Sequence, residues 1–108
     1  MKIQDPHLVF AALSDPTRLG ILALLRERPH TVGEIVRSGT LAGPTITRHL
    51  DALEQAGLIR RSKRAQERIC ELQHSGFQTA RQWLHPFEAF WSASLDQLDQ
   101  LLNEENAP

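Results

Sequence analysis

The chain has 108 residues, 41% hydrophobic and 23% charged, a composition ordinary for one soluble globular domain large enough to bury a core. Its net charge of −1 lacks the overall basicity common in nucleic-acid-binding domains, so such a role has to rest on how charge is distributed. One cysteine, Cys70, excludes an intrachain disulfide framework; no run approaches the ~18 apolar residues of a membrane span, and no basic–apolar signal pattern opens the chain, so the expected compartment is the cytoplasm.

Residues 6–13 read as a first helix, in which Leu8, Val9, Phe10 and Leu13 are too apolar to stand alone. Ser14-Asp15-Pro16 is a stop and restart, with Asp15 as the cap of a second helix and Pro16 at its first position. That helix runs to about Glu27. Leu19, Ile21, Leu22, Leu24 and Leu25 make it apolar on more than one face, which suits contact with both a core and a partner subunit. Arg28-Pro29-His30 breaks it.

Thr31 and Glu34 then form a capping-box pattern that opens a short helix through about Ser38. After a tight turn at Gly39-Thr40 comes a helix over residues 43–56, with Pro44 in its first turn and Gly57 as its stop. Ile46, Leu50 and Leu53 recur at helical spacing and face a core, while Thr45, Thr47, Arg48, His49 and Asp51 carry polar groups on the other side. Two helices about a tight turn, over about residues 31–57, read as a helix-turn-helix whose second helix enters a DNA major groove.

Residues 58–73 read as a β-hairpin around Ala65-Gln66-Glu67, although the turn lacks Asn-Gly or Asp-Gly. It holds Arg60, Arg61, Lys63, Arg64 and Arg68 beside one acid, Glu67, between positions 60 and 68. Next to a reading helix, such a hairpin suits phosphate contact, which supplies affinity and register rather than sequence choice. The last stretch, by contrast, has Glu88, Asp96, Asp99, Glu104 and Glu105 and no Lys or Arg. Over about residues 75–103, Leu84, Phe87, Trp91, Leu95, Leu98 and Leu102 define one apolar stripe, which Pro86 should kink or divide. Both tryptophans and three of the four phenylalanines fall between Phe77 and Trp91. This exceeds what a small domain needs for its own core, so the stripe, with Leu8 and Val9 of the first helix, is assigned to dimerisation.

Within the reading helix, Pro44, Thr45, Thr47, Arg48 and His49 are the candidates for the groove. Arg48 can bind guanine bidentately or grip a phosphate, and the threonines can meet a thymine methyl. The plainer alternative has Arg48 paired with Asp51 or Glu54 on the helix surface, and His49 serving as a packing residue.

Two stretches, Leu13-Ser14-Asp15-Pro16-Thr17-Arg18-Leu19 and Pro44 through Ile59, resemble motifs of the ArsR-family winged-helix regulators and stand at that family's separation; the resemblance extends over roughly residues 5–102. It implies a mainly α fold with a small β-hairpin, a single winged helix-turn-helix domain over 1–108, pairing through the first and last helices. The family consists of dimeric bacterial repressors, many of which release DNA on binding a metal or another effector. Here Ala42-Gly43 replaces the usual Ser-Gln before the proline, which removes a side-chain cap typically worth about 1 kcal/mol. Gly39 replaces a larger apolar turn residue. Thr31 and Gly33 stand where metal sensors of the family have a Cys-x-Cys pair, so a thiolate site is excluded there.

His74, His85 and Glu88 repeat a spacing found in the zinc-sensing last helix of some members. Leu72 replaces the expected aspartate, however, and the register set by Leu72-Gln73 puts the family's histidine positions at Gly76 and Phe87. No metal or other cofactor is therefore expected. Cys70 reads as a small buried apolar residue, with thiol reactivity as the alternative. The chain lacks a Gly-rich phosphate loop or a nucleophile motif, and no enzyme is expected. The sequence thus points to a homodimeric repressor on a near-palindromic double-stranded DNA operator, with its effector open. The alternatives are a metal- or thiol-responsive sensor of the same fold and a winged-helix protein-interaction module.

Overall fold

The computed structural model describes residues 5–106; the chain's first four and last two residues, including part of the segment read for a signal pattern, lie outside it. Helix α1 (Pro6–Leu13) and helix α2 (Pro16–Glu27) meet at a corner where the Asp15 carboxylate accepts from the Arg18 amide at 3.1 Å. Strand β1 (His30–Thr31) leads directly into α3 (Val32–Arg37). There Thr31 Oγ1 accepts from the Glu34 amide at 3.1 Å, and Glu34 Oε1 accepts from the Thr31 amide at 3.0 Å, closing the capping box. The same contacts hold the Glu34 carboxyl down to about 2, chiefly through the Thr31 amide and next through Arg28.

Helix α4 (Gly43–Gln55) starts without a side-chain cap, as Ala42 dictates. It ends because Gly57 adopts φ 72°, which lets the Leu58 amide donate to the Leu53 carbonyl and the Gly57 amide to that of Glu54, each at 3.0 Å. Strands β2 (Ile59–Arg64) and β3 (Glu67–Leu72) then form the hairpin, in the register Ile59 to Leu72 through Arg64 to Glu67. Its two-residue turn has Ala65 at φ 56°. β1 adds to the far edge of β3, His30 opposite Cys70, giving an antiparallel sheet ordered β1-β3-β2. Two residues are too few to show strand alternation, so β1 leaves no signature in the sequence.

Val9, Ile21, Leu22, Leu25, Ile35, Leu50, Leu53, Leu58, Ile59 and Cys70 form one core between α1–α4 and the base of the hairpin. Val9, expected on a dimer surface, is fully buried in that core, because it shares the inward face of α1 with Ala12. Leu8 is exposed, as that expectation requires.

Helix α5 (His74–Leu84) packs on α1 and seats its first turn on the end of α4. The Gly76 amide donates to the Gly57 carbonyl at 2.8 Å, and Ser75 Oγ to the same oxygen at 3.3 Å. Pro86 divides the last helical stretch: a 3-10 turn (His85–Phe87) separates α5 from α6 (Glu88–Asn106). From Glu88 to Glu104 every residue of α6 is exposed. The described residues extend over 63 Å with a radius of gyration of 18.3 Å, against about 13 Å for a compact chain of this length. No single described helix is long and apolar enough to cross a membrane.

Candidate nucleic-acid interface

Helix α4 buries Ile46, Leu50 and Leu53 and leaves Pro44, Thr45, Thr47 and Arg48 exposed. Arg48 makes no ion pair among the described residues, because Asp51 and Glu54, its candidate partners on the helix surface, are taken by Arg61. Arg61 Nη2 donates to Asp51 Oδ1 at 2.6 Å and to Glu54 Oε1 at 2.9 Å, and the Arg61 amide donates to Glu54 Oε2 at 3.1 Å. Strand alternation explains this. Ile59, Arg61 and Lys63 share the face of β2 that turns toward α4, and Arg61 lies deep enough for its side chain to be only 13% exposed. Arg61, expected at the DNA backbone, is therefore a brace between β2 and α4. Hydrogen bonding to Glu54 pushes the Arg61 guanidinium above its ordinary value, and the same bond holds the Glu54 carboxyl below its own.

The remaining wing cations divide by position. Arg60 Nε donates to Glu71 Oε1 across the strands at 3.0 Å. Lys63, Arg64 and Arg68 are exposed and unpaired among the described residues. Lys63 and Arg68 stand directly opposite one another in the hairpin, on the α4 side. Like charges in that relation destabilise a sheet unless an anion lies between or above them.

His49, expected at the groove, turns instead to α2. Its Nδ1 accepts from Arg18 Nε at 3.1 Å and lies 3.8 Å from Asp15 Oδ2, with 18% of the side chain exposed. The sequence marks Arg18 only by a local oddity: a cation in the first turn of a helix opposes the helix dipole and needs a reason to be there.

His85 Nδ1, in the 3-10 turn, lies 3.3 Å from Glu88 Oε2 at the start of α6, whereas His74 opens α5 eleven residues before His85, and the three do not converge. Among the described residues no three His, Cys, Asp or Glu side chains come together to hold a metal ion. Cys70 is fully buried, and burial pushes its thiol up, away from the reactive thiolate.

A stripe of aromatics, exposed except for the half-buried Phe10, runs along α1, the end of α5, the 3-10 turn and α6. Phe10 and Trp83 meet edge to face at 5.6 Å, and Trp83 to Phe87 and Phe87 to Trp91 follow at 5.1 and 6.4 Å. Trp91, Leu95, Leu98 and Leu102 continue it, all exposed, while Leu84 is half-buried.

A helix-turn-helix backed by a three-stranded sheet, with a basic hairpin tip on the reading-helix side, is a winged-helix DNA-binding domain. Residues 15–61 match the family model of bacterial regulatory proteins of the arsR family. The transcriptional repressor SdpR of Bacillus subtilis is 35% identical over 79 residues, covering 73% of this chain and 88% of that protein. The HTH-type transcriptional regulator Rv2034 of Mycobacterium tuberculosis is 29% identical over 102 residues, 94% of this chain and 92% of its own length. Among solved structures, an ArsR family transcriptional regulator, RHA00566, superposes with a TM-score of 0.72 at 32% identity, covering 80% of this chain and 94% of its own. The chain belongs to the ArsR family and is a DNA-binding transcriptional regulator.

Proposed function

We propose that the chain is a homodimeric repressor that binds a near-palindromic operator. Thr45, Thr47 and Arg48 lie in the major groove, Pro44 sits at the helix start, and Lys63, Arg64 and Arg68, with Arg60 beside them, lie on the phosphates. The observation that carries this reading is the unpaired Lys63–Arg68 cross-strand pair, like charges that phosphate would resolve, together with an exposed, uncommitted Arg48 on α4. Repression is supported by SdpR, which is named a transcriptional repressor. Dimerisation is supported by the exposed aromatic and leucine stripe, and two such reading helices would meet half-sites about one DNA turn apart.

The test is fluorescence anisotropy on the chain's own upstream promoter duplex against a scrambled duplex at two salt concentrations. Tight, salt-sensitive preference for the promoter is expected. Lys63→Ala and Arg68→Ala should each weaken binding to every sequence alike and reduce the logarithmic salt slope by about 1. Arg48→Ala should alter sequence preference instead. A salt slope unmoved by either wing substitution would remove the wing from the interface.

A further inference from the structure

We infer that Arg18, acting through His49, is a positioning residue that sets the roll of the reading helix, and that it makes sequence-specific DNA binding weaken in acid. The inference rests on α4 being the helix that reads DNA. Arg18 Nη1 donates to the carbonyls of Ala11 at 3.1 Å and Ala12 at 3.4 Å, at the end of α1, while its Nε donates to His49 Nδ1 on α4. One guanidinium thereby ties α1, α2 and α4 together, and it spends its charge on carbonyls that a helix end leaves unsatisfied. Thr45 lies one turn from His49 on α4, and Arg48 is its neighbour, so the roll fixed here is the roll of the groove-facing residues.

The contact needs His49 Nδ1 as an acceptor, which is the neutral ring with its proton on Nε2. A proton on Nδ1 turns acceptor into donor and sets two cations against each other. The bond that breaks is the one between Arg18 Nε–H and His49 Nδ1. Asp15 Oδ2, 3.8 Å away, is the acceptor that remains for the charged ring. Arg18 and Asp15 are the charged groups of α2 at the ring, and α1 offers carbonyls that Arg18 already holds. Residues Glu34 and Arg37 of α3 make no hydrogen bond or ion pair with the ring, and β2 engages α4 through Arg61 on Asp51 and Glu54, roughly 140–200° around the helix from His49.

The sign of the expected effect is diagnostic. Acidification charges exposed histidines and should strengthen attraction to a polyanion, so weaker binding in acid requires a specific loss. Duplex enriched by the wild-type protein from a random pool at neutral pH serves as probe, at constant ionic strength. Wild-type affinity is expected to fall about tenfold from neutral pH into mild acid. Arg18→Ala and His49→Ala should bind about tenfold more weakly than wild type at neutral pH. His49→Asn places an amide oxygen where Nδ1 stands and does not titrate, so it should rescue His49→Ala and bind within about twofold at both pH values.

A second readout needs no DNA: nitrogen-15 spectra of the wild-type protein above neutral pH should show His49 as the Nε2–H tautomer. Nδ1–H at His49, a flat wild-type pH profile, or an acid loss in His49→Asn equal to that of wild type would each overturn the inference while sequence-specific binding stands. Failure of the wild-type protein to enrich any duplex would instead overturn the reading of α4 as a DNA-reading helix, and this inference with it.

Discussion

Arg61 stands at the third position of a strand whose odd residues face the reading helix, and that placement gives it to the fold rather than to DNA. In the sequence it is one of five cations in a basic patch. Splitting that patch needs the hairpin register, which an Asn-Gly turn would have announced and Ala65-Gln66 does not. The brace has a pH signature. Glu54 is held below its ordinary value of 4.5 by Arg61, so the stabilisation is fully present above that value and is lost as pH falls through the lower, folded one. With both carboxylates about half exposed, the pair is worth about 1 kcal/mol or less. Arg61→Ala should therefore lower the urea midpoint at neutral pH, and the gap to wild type should narrow in acid, below the ordinary carboxylate value of 4.5. An equal gap at both pH values would mean that Arg61 stabilises by packing alone. His49 carries the same lesson: in helical periodicity it lies at the edge of the polar face, and only the distant Arg18 decides which way it turns.

At the scale of elements, the helices are legible because their boundaries are local chemistry. Asp15 and Thr31 cap, Glu34 closes a box, Gly57 stops α4 and Pro86 divides the last stretch, each acting on residues within one turn. The joint between α4 and α5 is not local. A Cβ on Gly76 would lie 2.5 Å from the Ala56 carbonyl oxygen and 2.8 Å from Gly57 backbone atoms, which cannot give way without moving the helix end. The position at which the resemblance would put a metal-binding histidine thus has no room for a methyl group at this crossing. Intrinsic helix propensity favours Ala over Gly by about 1 kcal/mol, whereas overpacking costs about 1–3. The clash should win, so Gly76→Ala is expected to lower the melting temperature. A neutral or raised value would show that α5 shifts freely on α4, and that the reading helix and the last helices are not rigidly joined.

For the molecule as a whole, charge and apolar surface are segregated in a way that the net charge of −1 conceals. The wing is basic, and the described side chains of α6 include Glu88, Asp96, Asp99 and Glu104 but no cation. α6 has 19 residues, about 28 Å of helix, and buries none of Leu95, Leu98, Leu101 or Leu102 within its own chain. Helices in proteins are stabilised mainly by packing their apolar face rather than by propensity, so the stripe needs a second surface, and a twofold copy supplies an identical one. Replacing Leu95 and Leu98 together by Asp should leave the winged-helix body folded but halve the mass at sedimentation equilibrium and reduce helicity as α6 frays. Because two half-sites bound by one dimer act as a linked pair, operator affinity should drop by about 100-fold or more. Inserting about 5 base pairs between the half-sites, which turns them to opposite faces of the duplex, should abolish tight binding by wild type and leave the double variant's weak binding unchanged. A double variant that stays dimeric would place the pairing surface elsewhere, on Leu8, Phe10 and Trp83. A wild-type protein that sediments as a monomer would mean that the stripe serves a different partner.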